Sequence, residues 1–285
     1  MNTEKTPELI AQLKDSLQQP RQIAIKFDIK KSITDLDEVE LNLLKENLIH
    51  HGIICLSNQR IQPIDLRNFT QKWGEVLILP EGLAFNNQEP NLPEIARVGN
   101  VKPDGSIVPS STLAEYWHHD GDFWQFGENH ILNFLYGVSI PKQGGQTGFL
   151  DTRKAYQDLS EQEKTELQGS YVVVHSSDIS DFNDSKEEEK PKDATQPVCF
   201  PHPISKQIAL YLPESNTGIQ KGDKILGYSK DFIDAIVEKQ GILAYVWTAG
   251  DLLIWDNLQV MHRSMGGYFD EPRLLFRCQA RVKLQ

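Results

Sequence analysis

Residues 250–282, GDLLIWDNLQVMHRSMGGYFDEPRLLFRCQARV, carry the stretch on which the fold reading turns. Residues 252–255 form a short apolar run of strand length, and the polar pair Asp256-Asn257 then turns the chain. His262 follows that turn by five residues. Residues 273–282 read as a terminal strand in which Arg273 and Arg277, four apart, share one face with Leu275. Two guanidiniums on one strand face are costly to bury unless each meets an anion. The alternative is a solvated face whose arginines pair with surface acids.

Working outward, further strand candidates lie at 95–98, 131–140, 171–175, 207–212 and 243–247. Helical patterns interrupt them near 152–168, where Ser160 and Glu163 make a capping-box pair, and near 229–240, which Gly241 closes. Many strands without regular strand–helix alternation predict a mainly β member of the α+β class, a sandwich or jelly roll. The first quarter alternates instead. Leu9, Leu13 and Leu17 mark a helix, 22–27 a strand, and Thr34 or Asp35 a cap for a second helix ending at Gly52. A short strand over 53–56 and a helix opened by Pro63 follow.

Composition fits a folded chain expected to form a single domain over 1–285: 39% of residues are hydrophobic and 24% charged. The formal charge of −11 argues against a nucleic-acid partner, and no apolar run approaches membrane-spanning length. The N-terminal residues alternate charge with Leu and Ile rather than forming a signal core, so a cytoplasmic location is expected. Cys55, Cys199 and Cys278 are widely spaced and suggest neither a disulfide framework nor a thiolate metal site. The acidic segment 176–196 reads as a solvated loop or, more sharply, as a mobile lid. Self-association is left open.

Of eight histidines, His118 and His119 are packaged with carboxylates, in Tyr116-Trp117-His118-His119-Asp120-Gly121-Asp122-Phe123. On extended chain His118 and Asp120 converge, Asp122 continues the same face, and His119 points away. A converging His and Asp supply two ligands of a 2-His-1-carboxylate site for non-haem Fe(II), although the pair alone fits a simple hydrogen bond equally well.

Taken with the order of its other landmarks, the chain resembles the taurine/2,4-dichlorophenoxyacetate dioxygenases. Those landmarks are Trp73-Gly74-Glu75, Trp117-His118-His119-Asp120, Gly144-Gly145-Gln146-Thr147, Asp151, Ala155-Tyr156, His202-Pro203, Ala209-Leu210-Tyr211, Trp255-Asp256-Asn257, His262, Arg273 and Arg277. Arg273 and Arg277 stand eleven and fifteen residues after His262, at the family's separations. The resemblance implies a double-stranded β-helix (jelly-roll) core with flanking helices, and an enzyme using Fe(II), 2-oxoglutarate and O2 on a small-molecule substrate. It makes His118, Asp120 and His262 the metal ligands and catalytic centre. Thr147 and Arg273 become the grip on the far carboxylate of 2-oxoglutarate, and Arg277 either a contact for the substrate's acid group or a structural residue. Leu79, Phe123 and Asp122 are expected around the substrate as well, Asp122 either facing a substrate amine by strand alternation or pairing with Arg277.

Two departures bear on the substrate. Leu79 and Gly82 stand where the sulfonate-handling relative has polar contacts, and Ala114 replaces a substrate-contacting asparagine, which argues against taurine. The expected reaction is hydroxylation of a small carboxylate or amino-acid-like molecule with release of succinate and CO2. Oxidative decarboxylation or desaturation of an isonitrile amino-acid derivative is the alternative within the family. Outside it stand a non-catalytic metal or 2-oxoglutarate sensor and a zinc hydrolase, the latter having no need of paired arginines.

Overall fold

The computed structural model describes residues 6–78, 88–109, 114–128, 130–175, 192–213 and 218–282. Among them the helices are α1 (Thr6–Gln18), α2 (Glu38–His51), α3 (Pro63–Gln71), α4 (Thr152–Gln157), α5 (Glu161–Leu167) and α6 (Ser229–Gln240). The strands begin with β1 (Ala24–Asp28), β2 (Ile53–Ser57), β3 (Glu75–Val76), β4 (Gln88–Glu89), β5 (Leu92–Gly99) and β6 (Ile131–Ser139). Next come β7 (Thr147–Asp151), β8 (Tyr171–Val174), β9 (Ala194–Pro197), β10 (Cys199–Pro201), β11 (Ile208–Leu210) and β12 (Gly218–Lys221). β13 (Lys224–Tyr228), β14 (Leu243–Tyr245), β15 (Leu252–Asp256), β16 (Val260–Ser264) and β17 (Leu274–Arg281) complete the order.

A large mixed sheet runs β1-β2-β15-β6-β17-β5-β4, with β3 added against β17. Its outer face is covered by α1 to α3. Leu9, Leu13, Leu44, Leu48, Leu66 and Phe69 from those helices pack on Phe134, Ile254, Phe276 and Cys278 of the strands. Its inner face meets the three-stranded sheet β14-β7-β16 through a second core containing Cys55, Leu135, Leu253, Trp255 and Leu275 against Phe149 and Val260. β17 shows how alternation drives this layering. Leu274, Phe276, Cys278 and Ala280 join the helix-side core, which leaves Leu275, Arg277, Gln279 and Arg281 for the other face. A four-stranded sheet β13-β12-β8-β9 and the hairpin β10-β11 complete the fold.

Three local expectations change. The second helix is capped by Asp37, whose side chain accepts from the Glu40 N–H in a reciprocal capping box; residues 33–35 form a separate 3-10 turn capped by Ser32. The end of the segment read as a lid is strand: residues 194–196 belong to β9, paired with β8, and Gln196 is buried. Residues 176–191 of that segment, like Leu79, lie outside the described residues. The chain around Asp120 is not extended beyond that residue. Gly121, at φ +69, starts a turn closed by the Trp124 N–H on the Gly121 carbonyl, so strand alternation does not carry to Asp122.

One helix contact sets a pH dependence. The His51 ring is buried against Ser16, with 2.9 Å between Nε2 and Oγ, and joins α2 to α1. Burial, aided by His50, pushes its pKa down to about 4. The unfolded chain takes up that proton near 6.5 and the folded chain only near 4, so this stabilisation is present above 6.5 and declines as pH falls through that window. Thermal unfolding from pH 7 to 4 should therefore fall less steeply in His51→Gln than in the parent; equal slopes would remove the assignment.

Candidate active site

His118 and His262 are brought together by their own backbones. Each N–H donates to the other's carbonyl at 3.1 Å, forming an isolated antiparallel bridge between residues 144 positions apart in sequence. Opposed residues in such a bridge project to one side, and here the ring centroids are 4.3 Å apart. Asp120 is set by Asn257, from the turn that follows β15. The Asp120 N–H donates to Asn257 Oδ1 at 2.9 Å, and Asn257 Nδ2 donates to the Asp120 carbonyl at 2.8 Å. The side-chain amide thus imitates a strand neighbour, and the carboxylate arrives beside both imidazoles.

Asp120 Oδ2 lies 3.4 Å from His262 Nε2, and Oδ1 lies 3.9 Å from His118 Nε2. All three ligand atoms fall within 4.8 Å of one another. The Tyr116 carbonyl is 2.9 Å from His118 Nδ1; a carbonyl only accepts, so Nδ1 carries the proton and the Nε2 lone pair faces Asp120. Burial pushes the His118 pKa down to about 4, with His262 adding to the effect. Burial opposes charge on Asp120, but His262, Arg277 and His118 outweigh it and hold the carboxyl well below the usual range. An imidazole held neutral and a charged carboxylate are the protonation states a divalent metal needs. The donor set fits the facial triad of a mononuclear Fe(II) site.

His119 turns away, as strand alternation requires. It donates from Nδ1 to the Asn257 carbonyl at 2.6 Å and stacks on Tyr211 at 4.2 Å. A second buried cluster, His130, His202 and Asp256, is not recognisable in the sequence as a unit. Asp256 Oδ2 receives Gln259 Nε2 at 2.8 Å and lies 3.0 and 3.3 Å from the Nε2 atoms of His202 and His130; its Oδ1 receives the Leu258 N–H. His202 Nδ1 accepts from the backbone N–H groups of Ile204 and Ser205, so its Nε2 carries the proton and donates. An Nε2 so protonated has no lone pair for a metal. This cluster therefore anchors the Asp256-Asn257 turn, and through it Asp120.

The turn that leads into Thr147 reaches Arg273. Gly145 O accepts from Arg273 Nε at 3.1 Å, two residues before Thr147. Both glycines of the pair are required: a Cβ on Gly145 (φ +72) would lie 3.1 Å from Arg273 Cδ, and one on Gly144 (φ +73) would lie 2.2 Å from Gly267 O. Arg273 is 3% exposed and stacks over Tyr268, yet among the described residues no carboxylate lies within ion-pair distance of it. Buried Thr147 accepts from Trp247 Nε1 at 3.0 Å, which leaves its own hydroxyl proton to be donated elsewhere. Strand register places Thr147 opposite Ser264, two positions along β16 from His262.

Arg277 lies 3.6 Å from Asp120 Oδ1, so its anion is a residue of the site rather than a surface acid. Asp122 is half-buried, and its carbonyl accepts from Gln196. Phe123 packs against Trp124 at 4.8 Å. Asn257, Gln279, Trp247 and the histidine–Asp256 anchor are site-building residues that the sequence reading missed. Asn257 stood within a recognised motif, while Gln279 had one available signal, its position two residues beyond Arg277 on the same strand face.

A two-histidine, one-carboxylate cluster set between facing β-sheets defines the class of mononuclear non-haem iron oxygenases. Residues 10–279 match the family described as "Taurine catabolism dioxygenase TauD, TfdA family", and the chain belongs to that family. An alpha-ketoglutarate-dependent 2,4-dichlorophenoxyacetate dioxygenase of a Burkholderia species is 29% identical over 80% of this chain and 81% of its own. An alpha-ketoglutarate-dependent sulfate ester dioxygenase of Pseudomonas putida is 26% identical over 85% and 81%. Among solved structures, AAD-2 in complex with Mn(II) and N-oxalylglycine superposes with a TM-score of 0.75 at 19% identity, covering 93% of this chain and 97% of that one. A taurine dioxygenase from Burkholderia xenovorans gives 0.70 at 18% identity, covering 93% and 90%. The jelly-roll expectation is met, and the chain is an Fe(II)- and 2-oxoglutarate-dependent dioxygenase. Among the described residues no helix is long and apolar enough to cross a membrane.

Proposed function

We propose that this dioxygenase hydroxylates a C–H bond of a small organic acid, with His118, Asp120 and His262 holding Fe(II). Thr147 and Arg273 receive the far carboxylate of 2-oxoglutarate, and Arg277 takes the acid group of the substrate. The observation that carries the reading is Arg273: a guanidinium sunk to 3% exposure, with no carboxylate of the described residues at ion-pair distance, held at Gly145, two residues before a Thr147 hydroxyl whose proton is still to be placed. A buried cation of that kind is expensive unless an anion joins it. The far carboxylate of the cosubstrate is that anion.

When bound, the metal, cosubstrate and O2 supply the oxidant; one oxygen atom enters the substrate as hydroxyl, and 2-oxoglutarate leaves as succinate and CO2. The protein's own residues bind and orient. Asn257 and the backbone bridge fix the backbone of the three ligand residues. Trp247 directs the Thr147 hydroxyl, and Tyr268 supports the plane of Arg273.

A carboxylate substrate is favoured by Arg277, 17% exposed in its side chain and reaching the metal-ligand carboxylate. A relative named for 2,4-dichlorophenoxyacetate acts on such an acid. Phe123, packed on Trp124 in the loop after Asp120, would supply apolar surface to such a substrate. The turn at Gly121 removes the alternation argument that set Asp122 toward a substrate amine, so the acid group and not a zwitterion defines the class. The test is substrate-triggered succinate release across simple aromatic and aliphatic acids, their amides, and amino acids. Arg277→Leu should lose at least about tenfold in stimulation by acids, the worth of one charge-assisted hydrogen bond. The visible band of the Fe(II)–2-oxoglutarate chelate should remain. Stimulation by neutral amides alone, or by acids equally in Arg277→Leu, would refute the substrate class.

A further inference from the structure

We propose that Gln279, braced by Asn133, is a positioning residue that fixes the carboxylate of Asp120 for metal binding; this rests on the assignment of Asp120 as a ligand. Gln279 lies on the inner face of β17 and is 4% exposed. It stands in register with Asn133 of β6, which in turn faces Trp255 of β15. These are the central strands of the large sheet.

The Gln279 amide nitrogen has two hydrogens, and both are engaged. One reaches Asp120 Oδ2 at 3.1 Å, and the other reaches Asn133 Oδ1 at 2.7 Å. Asn133 is fully buried, so the acceptor that holds the amide in place is itself immobile. The Asn257 clamp acts on the backbone of Asp120 and leaves its side-chain torsions unset. Rotation of the carboxylate is decided by what touches its oxygens. Arg277 sits at 3.6 Å from Oδ1, beyond good hydrogen-bond length, and in the proposed reaction it is the group that a substrate acid engages. Gln279 is different. It is neutral, so it occupies one lone pair without drawing charge from the metal, and its hold on Asp120 does not depend on substrate.

Removal of an outer partner of a metal ligand typically weakens metal binding about 10–100-fold. The measurement is Mn(II) affinity of the metal-free protein, followed by the EPR signal of free Mn(II), without cosubstrate or turnover. Gln279→Met keeps length and apolar volume but loses the donor. It should weaken Mn(II) binding by about 10-fold or more while thermal unfolding of the metal-free protein stays near the parent value. Should that variant not fold, Gln279→Asn carries the same expectation, since its amide falls a methylene short of Asp120. In either variant the visible band of the Fe(II)–2-oxoglutarate chelate should also shift. Parent-like Mn(II) affinity in a folded variant would overturn the proposal. Failure of the parent protein to bind Mn(II) would instead overturn the assignment of Asp120, His118 and His262, so the two failures are distinguishable.

Discussion

His118→Ala, Asp120→Ala and His262→Ala are each expected to reduce succinate formation from 2-oxoglutarate to background, with the fold retained. The loss should exceed the roughly 10–100-fold that follows from disturbing an outer partner, because a coordinating atom itself disappears. The structure gives each substitution a local consequence. His118 and His262 remain joined through backbone hydrogen bonds when either ring is removed, so the sheet edge survives and only a donor is lost. Asp120→Ala leaves the Asn257 clamp intact, since that clamp holds backbone atoms. It also leaves Arg277 and Gln279 without the carboxylate they face. A control is available in His175, which pairs with Asp193 on the surface at 2.7 Å. His175→Ala should turn over like the parent. Circular dichroism establishes folding and a coupled succinate assay establishes turnover; parent-like turnover in any of the three variants excludes that residue as a ligand.

The alternation rule placed His118 and Asp120 together and turned His119 away because it needs only local chain direction. The partner histidine came from family spacing, since nothing local marks residues 260–264 as strand: the run Val-Met-His-Arg-Ser is polar at three of five positions, and its pairing with β7 is entirely non-local. β7 was hidden for the same reason, its Thr-Gly start reading as more turn after Gly144-Gly145. The long apolar strands and the helices with clear caps were legible because burial on one face repeats within a few residues. The histidine–Asp256 anchor was not. His130, His202 and Asp256 lie on three separate segments, and their meeting is a property of the closed fold.

The same contrast explains where extended-chain reasoning stopped. His118 is bridged and extended, but Gly121 adopts φ +69 and a Cβ there would lie 2.2 Å from the Trp124 ring. Gln196 then binds the carbonyls of Asp122 and Trp124 at 2.9 and 2.6 Å, and Arg281 stacks over Trp124 at 4.6 Å. The loop after the metal ligands is thus shaped by β9 and β17, neither of which is near it in sequence. The glycine was visible in the sequence, while the residues that hold the turn were not.

Arg273→Leu is expected to raise the 2-oxoglutarate concentration needed for half-saturation by about 10²-fold, and the two sides of the free-energy balance move in opposite directions. In the ligand-free protein, burial already disfavours the charged guanidinium and lowers its pKa, with Tyr268 the group that counters it. Leucine removes that penalty, so the ligand-free variant should unfold at a temperature equal to or above the parent's. In the complex, leucine removes a charge-assisted pair worth roughly 1.5–3 kcal/mol, and it leaves a desolvated carboxylate facing an apolar side chain. Affinity falls while stability does not. A general loss of structure would move both downward. Arg273→Lys should fall between, because the ammonium keeps charge but cannot reproduce the planar fork whose Nε is held by Gly145 O. Thr147→Val should act in the same direction and more weakly, a single neutral hydroxyl contact being worth about 1 kcal/mol. Anaerobic titration of 2-oxoglutarate against the Fe(II) protein, read at the visible chelate band and set beside thermal unfolding, separates these cases. An unaltered midpoint in Arg273→Leu would show that the buried guanidinium serves the fold and that the cosubstrate carboxylate is held elsewhere.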